Sequence, residues 1–154
     1  MTTVHERTTE TENRRLYPGT IFNILVSAGE SNNAIAIADY EAIPGSEPPR
    51  HVHSIEDEIF ILKEGSITFF RGDDIIEAGA GDTVFLPVNV PHHFKITSEK
   101  VKGTLIATPG NIETFFRLLS VPYDGDTIPP VTPPTDEQIN FFVSLTESFG
   151  MKFV

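Results

Sequence analysis

The sequence predicts an all-β sandwich or small barrel, and three observations carry that expectation. Runs rich in Val, Ile, Phe and Thr recur between turn residues at spacings of about 8 to 12 residues. Twelve Pro and 11 Gly in 154 residues cut the chain into short segments. No long helical pattern interrupts these runs before residue 110. At this length one domain with a core of its own is expected.

Taken in order, residues 1–15 are Thr, Glu and Arg with little to bury, so they read as a flexible N-terminal arm; His5 within it is assigned no role. The barrel is expected over residues 16–110. Its strands are IFNILVSA, AIAIADYEAI, HVH, EIFILK, ITFFR, IIEAGAGD, TVFLP, HHFKIT and VKGTLIAT, separated by GESNN, PGSEPPR, EGS and GDD. Residues 111–154 read as a helical extension. In NIETFFRLLS the apolar Ile112, Phe115, Phe116 and Leu119 fall on one helical face, with Pro122 as the stop. A Pro-rich tether then leads to DEQINFFVSLTESFG, where Thr135 and Gln138 have capping-box spacing and Ile139, Phe142, Val143 and Phe149 form the apolar stripe. That stripe is expected to pack on the barrel or on a partner subunit.

Composition narrows the chemistry. Cysteine is absent, so disulfides and thiolate chemistry are excluded and any metal must be held by nitrogen and oxygen. Acidic residues outnumber basic ones 22 to 11. With no clustered Lys or Arg to neutralise phosphates, nucleic acid is an unexpected partner. No apolar run reaches the length of a membrane span and the N-terminus has no signal core, so no membrane partner and a cytoplasmic location are expected.

Strand alternation puts His51 and His53 on one face with Val52 on the other, and two imidazoles so spaced can chelate one ion. Glu58 shares a face with Phe60 and Leu62, which read as barrel interior, and a carboxylate there is costly unless it is paired or ligating. Glu56 and Asp57 are the other candidate carboxylates, expected to face solvent from the turn. In the segment PHHFKI, His92 shares a face with Phe94 and Ile96, so it points inward if they do; His93 points away, toward an exposed or supporting position. Three inward histidines and one carboxylate suit Mn, Fe, Ni, Co or Cu with one or two open positions. The competing readings are polar loop residues at chance spacing and a barrel without metal. Phe60, Phe69, Phe70, Phe85 and Phe94 read as core filling, with an aromatic ligand pocket as the alternative.

At these residues the sequence resembles the cupin superfamily. Gly45, His51, His53, Glu58 and Gly65 match its first motif in full, and Gly81, Pro87 and His92 match its second. Asn89 stands where the family usually has Gly and Ile96 where it often has Asn; neither is a ligand position. The resemblance spans residues 19–109. It implies a double-stranded β-helix, or jelly roll, that binds a divalent transition metal (Fe, Mn, Ni, Co, Cu or Zn) through His51, His53, Glu58 and His92. The C-terminal extension is similar to that of small single-domain cupins resembling bacterial quercetin dioxygenases.

The resemblance therefore implies a metal-dependent enzyme acting on a small organic molecule. The specific expectation is dioxygenase chemistry on a phenolic or enolic substrate, with Glu58 as ligand and general base. A non-oxidative isomerase, cyclase or lyase is the first alternative. A small-molecule or metal-binding module without turnover is the second. Open strand edges and the aromatic C-terminal helix also predict a homodimer.

Overall fold

The computed structural model describes residues 10–154. His5 and the first nine residues of the expected arm lie outside the described residues. A single helical turn, α1 (Glu10–Asn13), runs into β1 (Arg14–Tyr17), followed by β2 (Thr20–Val26), β3 (Ala36–Ala42), β4 (His51–His53), β5 (Asp57–Glu64) and β6 (Ser66–Arg71). The chain continues through β7 (Asp74–Gly79), β8 (Thr83–Leu86), β9 (His92–Ile96) and β10 (Val101–Thr108). After α2 (Ile112–Leu118) and the two-residue β11 (Val121–Pro122) come α3 (Asp136–Ser148) and β12 (Met151–Phe153).

The strands form two antiparallel sheets in the orders β11-β1-β2-β3-β10-β5-β8 and β12-β4-β9-β6-β7. Their inner faces meet in one core, in which Phe22, Tyr40, Phe60 and Leu62 of the first sheet pack against Ile67, Phe69 and Ile96 of the second. Period-2 alternation explains which residues are inside: in β5 Glu58, Phe60 and Leu62 are buried while Ile59 and Ile61 are less so. This is the jelly roll that the motifs imply. Among the described residues no helix is long and apolar enough to cross a membrane.

Three expectations need correction. Arg14 and Arg15 belong to a strand rather than to a flexible arm: β1 pairs with both β2 and β11. Arg15 donates from Nε to Ser120 Oγ at 2.7 Å and from Nη2 to the Ser120 carbonyl at 2.8 Å, satisfying groups left open where α2 ends. Phe85 is exposed, because in β8 the inward positions are Val84 and Leu86. Phe70 lies on the outer face of β6, stacked on His93 with ring centroids 4.4 Å apart.

The third correction concerns α3. Its capping box forms, with the Gln138 N–H donating to Thr135 Oγ1 at 3.2 Å and the Thr135 N–H to Gln138 Oε1 at 2.9 Å. Only part of the expected stripe is covered, however. Phe142, Leu145 and Phe149 pack with Phe115 and Met151, while Ile139 and Val143 are exposed. The helix touches the barrel through its C-terminal half, which delivers the chain into β12 beside β4. By contrast, Ile112, Phe115, Phe116 and Leu119 all pack together, as the helical period requires.

Candidate metal centre

The pleat of β4 turns both His51 and His53 into the barrel, where each is nearly fully buried. Their Nε2 atoms lie 3.1 Å apart. β9 pairs antiparallel with β4 so that His92 stands opposite His51. From the other sheet, Glu58 on β5 brings Oε2 to 3.5 Å from His53 Nε2 and 3.3 Å from His92 Nε2. The four residues singled out by the sequence thus converge.

The turn before β9 is built to deliver His92. Asn89 adopts φ of 64°, the left-handed region in which Gly and Asn are the cheapest residues, so Asn serves where Gly is usual. Its backbone N–H donates to the His53 carbonyl at 2.7 Å, and the Val88 N–H donates to Asp57 Oδ1 at 2.8 Å. These bonds fasten the second motif to the first. Asp57 is therefore engaged in holding the turn and is not aimed at the histidines.

Each imidazole is oriented from behind. His51 Nδ1 lies 2.8 Å from the Pro49 carbonyl, His92 Nδ1 lies 3.1 Å from the Val90 carbonyl, and His53 Nδ1 lies 3.1 Å from Glu56 Oε2. With an acceptor on Nδ1, the neutral ring carries its proton there and leaves the Nε2 lone pair free. The donor set fits a first-row transition metal. For bonds of about 2.1 Å, separations of 3.1 and 3.5 Å subtend roughly 95° to 115°, spanning the octahedral and tetrahedral ranges. His51, His53 and His92 form a group able to hold a metal ion.

The electrostatics are those of a ligand set awaiting a cation. Burial pushes the His51 imidazole down to about 4, with neighbouring His92 adding to the effect. Burial also pushes His53 downward, but the Glu58 charge and the Glu56 hydrogen bond outweigh it and raise the group. For Glu58, burial acts upward, yet the charges of His53 and His92 and the His92 hydrogen bond prevail and hold the carboxyl at about 2. Glu58 is an anion at neutral pH, inside a wall of aromatic side chains. The donors line a cavity of about 110 Å³ shared with Phe60, Phe94, Phe115, Phe142 and Phe153.

The position of Glu56 departs from the sequence expectation. It was expected to face solvent, but it is 1% exposed. Ser54 to Glu56 form a bend in which strand alternation no longer applies, and the bend folds the Glu56 side chain back under His53. A signal did exist: a ligating His53 needs an acceptor behind Nδ1, and an acid three residues on across a turn can reach it. β12 was also missed; its Phe153 lines the cavity, and its three residues MKF show too little alternation to be recognised.

Comparison with known proteins agrees with this fold. The cupin domain family matches residues 39–109. Quercetin 2,3-dioxygenase of Bacillus subtilis is 29% identical over 119 residues, covering 77% of this chain and 35% of the relative. The chain thus spans about a third of that protein's length. Among solved structures, KdgF from Halomonas superposes with a TM-score of 0.53 at 15% identity, over 61% of this chain and 83% of its own. A predicted oxalate decarboxylase from Thermotoga maritima gives 0.52 at 23% identity over 58% and 80%. The nucleoside dehydratase Pac13 of Streptomyces gives 0.55 at 16% identity over 68% and 82%. These structures share the fold. With both motifs inside the matched segment and a jelly roll around them, residues 39–109 carry a cupin domain.

Proposed function

We propose that the protein is a metal-dependent enzyme acting on a small organic molecule, with dioxygenase chemistry on a phenolic or enolic substrate as the specific reading. The observation that carries it is the convergence of four donor atoms on the wall of an aromatic cavity. The similarity to quercetin 2,3-dioxygenase supports the choice of substrate class.

His51, His53, Glu58 and His92 would hold a divalent transition metal, whose positive charge would polarise a substrate oxygen and offer a place for O₂. The phenylalanine wall would bind a planar apolar substrate by its faces and exclude water from the reacting atoms. Glu58 would accept the substrate hydroxyl proton at a carboxylate oxygen. The acceptors behind each Nδ1 would keep the three rings from turning as the substrate enters.

Reconstitution with Mn, Fe, Co, Ni and Cu in turn, followed by O₂ uptake with flavonols and other enolisable phenols, tests the reading. Metal-dependent O₂ consumption is expected. Turnover that persists under strict anaerobic conditions would instead assign a cyclase, isomerase or lyase, and tight binding with no product over hours a binding module. The same reading includes a homodimer, supported by exposed Ile139, Phe141 and Val143 on α3. Equilibrium sedimentation giving only the monomer mass would remove that element.

A further inference from the structure

Glu56 is a carboxylate with no route to solvent: its side chain is 0% exposed. Burying an anion this way is costly, and among the described residues no Lys or Arg pairs with it. Both of its oxygens are nonetheless engaged. Oε2 accepts from His53 Nδ1 at 3.1 Å, on the side of the ring opposite Nε2, and Oε1 accepts from Asn111 Nδ2 at 2.7 Å. Asn111 sits at the N-cap of α2 but makes no capping bond with its side chain, and among the described residues its Oδ1 has no partner. An N-cap asparagine ordinarily spends its side chain on its own helix. Here the side chain is spent on Glu56.

We propose that Glu56 is a positioning residue of the metal centre, fixing His53 with Nε2 toward the site and supplying the second buried negative charge that balances a divalent ion. The proposal rests on the metal-binding reading above. With three neutral imidazoles, Glu58 and Glu56 together carry two negative charges, matching a dication. Through Asn111 the same carboxylate ties the centre to α2, whose Ile112 and Phe115 line the cavity. Glu56 meets the donor cluster at His53 Nδ1, behind the ring, and does not line the cavity; it acts through the His53 ring.

The test compares wild type with Glu56→Ala and Glu56→Gln, using Co(II) as probe. Affinity is measured by competition with a chromogenic chelator, the visible absorption of the Co(II) protein reports ligand geometry, and thermal unfolding of the metal-free protein reports folding. Glu56→Ala is expected to weaken Co(II) binding by about 10- to 100-fold and to alter the visible bands. Glu56→Gln retains an acceptor for His53, and Asn111 can turn its amide to offer Oδ1, so it separates hydrogen bonding from charge. It is expected to restore the bands toward wild type while binding remains weakened. Wild type that binds Co(II) alongside folded variants that bind it within about twofold would overturn the role of Glu56 while leaving the metal reading intact. Wild type that binds no Co(II) would overturn both. If Glu56→Ala does not fold, Glu56→Gln decides the matter by the same criterion.

Discussion

Met151 stands directly across from His53 in the antiparallel pairing of β12 with β4. Met151, the first residue of the last strand, therefore lines the candidate centre, and it is 5% exposed. Truncating it leaves a void beside a ligand strand three residues long, which has little else to hold it. Met151→Ala is expected to lower unfolding stability by about 2 to 5 kcal/mol, read from urea denaturation of the metal-free protein. A loss well under 1 kcal/mol would mean that β12 is not packed as described.

Metal should stabilise the folded state by mass action, because the unfolded chain does not bring the four donors together. A free metal concentration of about 100 times Kd is expected to add about 2.7 kcal/mol, with chelator reversing the gain. In His92→Ala, or in a chain with all four donors replaced by alanine, the gain should vanish and metal content by elemental analysis should fall. Unchanged metal content in the fourfold variant would remove the centre altogether.

The parts of this molecule that were legible in its sequence are those set by neighbouring residues. Alternation within β5 and β9 locates Glu58 and His92, and the positive-φ turns at Gly45, Gly65 and Gly81 coincide with motif glycines. The helical period of α2 and the capping box of α3 are equally local. What was hidden depends on pairing across long stretches of chain. RRLY and VP become strands because they pair with each other across 105 to 107 residues, and MKF because it pairs with HVH across 98 to 102, not because of anything in their own pattern. Glu56 was hidden for a different reason: it lies in a bend, where neither period assigns a face, and its burial follows from what His53 and Asn111 require. Ile139 and Val143 share an apolar stripe with Phe142, but α3 packs through Phe142, Leu145 and Phe149 and leaves them exposed.

At Asn89 the backbone makes a demand that side chains can test. Its φ of 64° suits Gly or Asn, whereas a β-branched residue is strained there. Asn89→Val is expected to cost about 1 to 3 kcal/mol of stability, and Asn89→Gly to remain within a few tenths of wild type. Because the Asn89 N–H holds the His53 carbonyl, the Val variant should also bind metal more weakly. Equal stability of the Val and Gly variants in denaturant titrations would contradict the turn geometry.

Tyr40 and Gly103 face each other across β3 and β10, and their pairing allows separate tests of a clash and of an orphaned hydroxyl. A Cβ added at Gly103 would lie 2.6 Å from Tyr40 Oη and would run into the Ile61 carbonyl, so both a side chain and the neighbouring strand obstruct it. Gly103→Ala is expected to destabilise by about 1 to 3 kcal/mol. The Tyr40 hydroxyl itself is buried, with no hydrogen-bond partner among the described residues, and burial alone raises its pKa. Removing an unsatisfied group of this kind restores no lost bond and spares its desolvation, so Tyr40→Phe should leave stability unchanged or raise it by about 1 kcal/mol. The double variant should recover only part of the Gly103→Ala loss, because the Ile61 carbonyl still stands in the way. Full recovery would place the whole obstruction at the tyrosine, and a marked loss in Tyr40→Phe would mean that its hydroxyl has a partner in solution.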